Sequence, residues 1–123
     1  MKKVVLDTNF ILSCVRQKID FLEKIQLRGM KILLPEEVLD EIKKIENSGR
    51  KLHLRENAQL ALKTLEKTGF EKIKLETENV DDGLVKFSEK NKDVIIATLD
   101  RELKKRIKKP KLVIRGKKKL EII

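Results

Sequence analysis

Carboxylates are the side chains of this sequence whose placement could do chemistry. Asp7 closes the run Val4-Val-Leu-Asp7-Thr-Asn9, and Asp100 closes Val94-Ile-Ile-Ala-Thr-Leu-Asp100. Both runs consist of β-formers, are too short for helices and are bounded by polar residues, the pattern of a buried parallel strand. In an open α/β sheet the ligand crevice lies beyond the carboxyl ends of the strands, near the point where strand order reverses. The two aspartates are expected to face one another there. Each also suits a helix N-cap, for which Asp is among the best residues.

Two further acids join them. Glu41 lies three residues after Val38 and four before Ile45, so it falls on or beside the apolar stripe of its helix. An acid there either sends its head to water at the rim or finds a partner or cation. Asp81 and Asp82 open another helix; one is expected to cap it and the other, Asp82 beside the space left by Gly83, to point toward the sheet. Asp7, Glu41, Asp82 and Asp100 would repel one another at the strand ends unless a cation sat between them. Oxygen-only donors suit Mg²⁺ or Mn²⁺ rather than zinc. His53 is the sole histidine and Cys14 the sole cysteine. Neither Ser-His nor Cys-His nucleophilic chemistry has a candidate, which leaves a metal-activated water as nucleophile.

Strands are expected at residues 3–7, 31–34, 70–75, 94–99 and 112–114, with an edge strand at 120–123. A helix runs from Thr8 or Asn9 to about Leu27, with an interruption between Arg16 and Asp20. Others cover 36–46, 57–68, 81–90 and 101–108, and residues 50–57 read as a mobile basic connection. Strands alternating with helices imply a mostly parallel sheet covered on both faces, an α/β domain occupying residues 1–123.

Composition limits the partners. The chain carries 30 Lys+Arg against 20 Asp+Glu, a net +10, which favours a polyanion. Arg101, Lys104, Lys105, Arg106, Lys108, Lys109, Lys111, Arg115, Lys117, Lys118 and Lys119 fall in one stretch and are expected to hold nucleic acid phosphates, or else to form a solvated face. No Trp or Tyr is present, which disfavours an aromatic platform for bases. No apolar run spans a bilayer and no signal peptide is evident, as expected of a cytoplasmic protein. Exposed apolar residues near Phe70 or the C-terminus could pair two subunits.

The chain resembles the PIN-domain ribonucleases. The resemblance rests on Leu6-Asp7-Thr8-Asn9, Pro35-Glu-Glu-Val-Leu-Asp-Glu41-Ile, Val80-Asp-Asp82-Gly-Leu-Val and Ala97-Thr98-Leu99-Asp100-Arg-Glu-Leu103, four motifs in order along nearly the whole length. It implies a three-layer α/β/α fold with a mostly parallel central sheet, and an acidic Mg²⁺ or Mn²⁺ site that hydrolyses RNA phosphodiesters. Asp7, Glu41, Asp82 and Asp100 match the catalytic, metal-holding positions; Asn9 and Thr98 match their polar helpers, and Asp81 stands beside the third acid. Gly83 departs from the alanine or other small residue usual after that acid, and Leu99 fills a place often polar. The ending Leu112-Val-Ile-Arg115-Gly116-Lys-Lys-Lys-Leu120-Glu is similar to that of archaeal PIN proteins resembling the small-subunit processome nucleases, which implies processing of pre-ribosomal RNA. The same family includes VapC-type toxins. A non-catalytic RNA-binding factor of ribosome assembly is the alternative outside enzymology.

Overall fold

The apolar runs pair as strands because both faces of each are covered. In the computed structural model, which describes residues 1–123, the order is β1 (Lys3–Leu6), α1 (Thr8–Arg16), α2 (Phe21–Leu27), β2 (Lys31–Pro35), α3 (Glu36–Glu46), α4 (Leu52–Glu66), β3 (Glu71–Ile73), α5 (Val80–Lys90), β4 (Val94–Ala97), α6 (Arg101–Arg106), β5 (Lys111–Arg115) and β6 (Lys119–Ile122). Successive strand residues point to opposite faces. Val4, Leu6, Ile32, Leu34, Ile95 and Ala97 join the larger core under α1–α4. Val5, Leu33, Val94 and Ile96 pack against α5 and α6 in a smaller one. The result is the expected three-layer α/β/α arrangement.

The six strands lie in the order β3-β2-β1-β4-β5-β6. All neighbours are parallel except β5 and β6, which form an antiparallel hairpin. The chain moves outward from β1 to β2 and β3, then returns to lay β4 on the other side of β1. The strand order therefore reverses between β1 and β4, the place where open α/β sheets form their ligand crevice.

Four boundaries differ from expectation. The break after Arg16 is complete: Lys18 takes a left-handed φ of 59°, and Asp20 caps a separate α2 through Glu23 N at 3.2 Å. The basic stretch after residue 50 is helical from Leu52, because Leu54 extends the stripe of Ala58, Ala61 and Leu65 backward by one turn. Only residues 47–51 connect α3 to α4. β3 shrinks to three residues, and α6 ends at Arg106.

The space beside Gly83 is not empty. A Cβ there would collide with Thr77 Cγ2 and stand 2.9 Å from Leu75 Cβ. Leu75 cannot yield easily, since the Glu37 carboxylate accepts its amide at 3.0 Å and that of Glu76 at 2.9 Å. Burial pushes Glu37 upward, but the amides of Leu75, Glu37 itself and Glu76, with Lys74 nearby, hold its carboxyl below the usual range. Gly83→Ala is therefore expected to destabilise the fold by about 1–3 kcal/mol through overpacking, despite alanine's better helix propensity. A lowered thermal midpoint by circular dichroism checks this; an unchanged or raised midpoint refutes it.

Candidate active site

Leu6 lies level with Ala97 on adjacent strands, so the residues that follow each meet at the same edge of the sheet. Asp7 N donates to Ala97 O at 3.0 Å. The Asp7 carboxylate then does two things. Its Oδ1 accepts from Thr8 N at 2.8 Å, capping α1, and its Oδ2 accepts from Thr98 Oγ1 at 2.7 Å. Asp7 is only 5% exposed. Burial pushes its carboxyl up to about 6, against the hydrogen bonds from Thr98 and Thr8, and the charges of Asp81 and Glu41 push the same way.

Thr98, fully buried, joins the two strand ends. Its hydroxyl donates to Asp7 and accepts from Asp100 N at 3.2 Å. Asp100 caps α6 by accepting from Leu103 N at 3.1 Å. Asn9 Oδ1 accepts from Leu99 N at 3.2 Å, tying the first turn of α1 to the loop after β4. On α3, Glu41 Oε1 accepts from Thr8 Oγ1 at 2.7 Å. The capping role considered for Asp7 and Asp100 is seen at both; the cap uses one carboxylate oxygen, and the other accepts from Thr98 in Asp7.

The pair on α5 is divided differently from expectation. Neither acid caps the helix: Asn79 does, accepting from Asp82 N at 3.0 Å. Asp82 turns to Arg106, with Nη2 to Oδ1 at 2.6 Å, on a half-exposed surface. Asp81 makes no ion pair. Partial burial raises its pKa, as does the charge of Asp100; Arg106 opposes and Asp82 adds. Asp81 is therefore the α5 acid whose charge reaches both Asp7 and Asp100. A sequence signal for this exists: Asp81, Leu84, Val85 and Ser88 fall three, four and seven residues apart, and the last three are buried. Thr8, which donates to Glu41, is not among the expected site residues; its signal is a hydroxyl directly after a strand-ending acid.

Thr98 links Asp7 to the backbone of Asp100, Thr8 links Glu41 to the start of α1, and the charge of Asp81 is felt at Asp7, but no three acidic side chains close into a ready-made cage. An open set of hard oxygens with a crowded, buried aspartate fits Mg²⁺ or Mn²⁺, since Mg²⁺ keeps several waters and takes few carboxylates directly.

The basic stretch is divided too. Arg106 pairs with Asp82, and Arg115 with Glu121 at 3.7 Å. Lys109 Nζ donates to Ser88 O and Asn91 O, closing the end of α5. Lys111 Nζ donates to Ile107 O. Arg101, Lys104, Lys105, Lys108, Lys117, Lys118 and Lys119 make no ion pair. The hairpin tip that carries the last three projects past the strand ends. Leu112 is level with Ala97, so Arg115 stands about 10 Å beyond it at about 3.3 Å per residue.

A family model described as PIN like domain matches residues 4–117. The chain is 27% identical over 128 residues to Ribonuclease VapC4 of Methanocaldococcus jannaschii, covering 99% of this chain and 97% of that protein. Among solved structures it is similar to the PIN domain endonuclease Utp24, with TM-score 0.76 and 26% identity, covering 98% of this chain and 90% of that one. A domain of a functionally unknown protein from Methanocaldococcus jannaschii shares the fold at TM-score 0.54 and 19% identity, over 84% of this chain and 81% of that one. No helix is long and apolar enough to cross a membrane.

Proposed function

Because the chain belongs to the PIN-like domain family, we propose that it is a metal-dependent endoribonuclease working at Asp7, Glu41, Asp81 and Asp100. The observation that carries this reading is Asp7: a carboxylate 5% exposed, pushed up to about 6 and crowded by other acids. Such a group is costly as a structural element and useful as a cation ligand. A bound Mg²⁺ or Mn²⁺ would supply a water of lowered pKa and offset charge on the phosphate oxygens. The chain's own residues fix the acids. Thr98 holds Asp7 Oδ2, Thr8 holds Glu41, and Asn9 locks the loop that presents Asp100. The unpaired lysines of α6 and the hairpin tip attract RNA without reading its bases.

Ribosomal RNA processing in the cytoplasm is the role we favour, on the resemblance of the ending Leu112–Glu121 to archaeal PIN proteins similar to the small-subunit processome nucleases; the likeness to the PIN domain endonuclease Utp24 over nearly the whole chain supports endonuclease activity. The relative named Ribonuclease VapC4 favours a second reading, a toxin restrained by a partner protein. Crosslinking in cells and sequencing of the bound RNA separates them: enrichment of ribosomal precursor supports the first. The nuclease reading is tested with purified protein, labelled single-stranded RNA and a titration of Mn²⁺ or Mg²⁺. Cleavage is expected with metal and is lost on chelation. RNA binding with no cleavage at any metal concentration would leave a non-catalytic binder.

A further inference from the structure

Two helices that begin at the acidic centre carry cations away from it. On α1, Asn9, Leu12, Ser13 and Arg16 share a face; on α3, Glu41, Lys44 and Ile45 do, with Ser48 just beyond the helix end. These faces meet over two adjoining hollows. One, of about 190 Å³, lies between the α1 face and Ile45, Arg50, Leu54 and Asn57. The other, of about 430 Å³, runs from Thr8 and Glu41 past Lys44 and Ser48 to Arg50. Ile45 and Arg50 line both. They make a single trough from Glu41 to Arg16, and Arg16 stands about 10 Å beyond Asn9 along α1 at about 1.5 Å per residue.

Arg16, Lys44 and Arg50 are exposed and form no ion pair. That sets them apart from Arg106, Lys109 and Arg115, which the fold already uses. A phosphate chain approaching a carboxylate centre is repelled unless cations flank its path, and these three flank this one. The smaller hollow has aliphatic walls, Leu12, Ile45 and Leu54, and polar groups at Ser13 and Asn57. Apolar faces with polar edges are the complement of a nucleobase. A chain without Trp or Tyr must take a base between aliphatic walls and arginine planes. A hollow of about 190 Å³ is large enough for one base.

Building on the nuclease reading, we propose that this trough is the path of the RNA strand. The hollow between α1 and α4 takes one unstacked base beside the cut, and Arg16, Lys44 and Arg50 hold the neighbouring phosphates.

Fluorescence anisotropy on the full chain tests this, with short labelled single-stranded RNA and a blunt RNA duplex, in EDTA so that nothing is cut. The double variant Arg16→Ala/Arg50→Ala, checked for folding by circular dichroism, is expected to bind the single strand at least ~10-fold more weakly. Its salt dependence should become shallower by about 0.7 per lost phosphate contact, while duplex affinity changes less than about threefold. Asn57→Leu is expected to change the ranking among oligo-A, oligo-U and oligo-C by several-fold. Parent-like binding by the double variant, with the loss appearing instead in Lys117→Ala/Lys118→Ala, would move the path to the hairpin and overturn the trough. So would retained RNA affinity with lost affinity for a poly-glutamate peptide, which assigns the groove to a protein partner. A parent that never cuts with Mn²⁺, beside a double variant that loses single-strand binding, sinks the nuclease reading and keeps the trough.

Discussion

Asp7→Asn is expected to abolish cleavage and, in metal-free buffer at neutral pH, to stabilise the fold. Asparagine keeps the shape and still caps α1. Its amide can donate to Thr98 Oγ1, whose proton then turns to Asn9 Oδ1, 3.5 Å away. What is lost is a negative charge held where burial disfavours it. Asp7 in the folded protein titrates at about 6 against an ordinary 3.8. A group raised in this way contributes its full stability below about 3.8, and loses it as pH rises through about 6. At about 1.4 kcal/mol per pH unit, the interval is worth about 3 kcal/mol, or several degrees in thermal midpoint for a chain of this size. Midpoints of parent and variant in EDTA should coincide near pH 4 and separate between pH 4 and 6, the variant higher. Cleavage with Mn²⁺ should fall at least about a thousandfold, the scale on which transition-state charge stabilisation is lost. Added Mn²⁺ should raise the parent's midpoint and leave the variant's in place. A variant less stable than the parent at every pH would mean that the Asp7 charge serves the fold.

The second large effect separates two adjacent residues. Asp81→Asn is expected to lower cleavage by about a hundredfold or more and to weaken the Mn²⁺ response, because its charge reaches both Asp7 and Asp100. Asp82→Asn removes a half-exposed ion pair with Arg106. Such pairs contribute at most about 1 kcal/mol, so cleavage should change only a few-fold. Side-by-side single-turnover rates at saturating Mn²⁺ decide between them, and the reverse ranking would return the third catalytic position to Asp82.

Much of this architecture can be read from the chain because its signals are local. β1 and β4 are recognisable as short apolar runs ending in acid, and the break after Arg16 shows as a polar interval. Glu41 is recognisable from its place beside Val38 and Ile45. The direction of Asp82 is not legible, because its neighbour Gly83 suggests space that Leu75 and Thr77 fill from outside the helix, and the Arg106 that pairs with it comes from α6. The early start of α4 is hidden by basic residues that obscure its apolar spacing. Lys109 looks like any other lysine of a basic tail until the end of α5 arrives beside it. Whether a cation is free depends on partners brought by the fold, and composition carries no record of them.

Strand order also sets when the centre can exist. β1 lies between β2 and β4, and the hydroxyl that holds Asp7 belongs to a residue 91 positions later. At about 5–20 residues per second, a ribosome needs roughly five to twenty seconds to add that stretch. Until then the acids are strung along an unpaired polypeptide, tethered beside its own messenger. Assembly from segments this far apart in the chain thus keeps the centre unformed until β4 has been made.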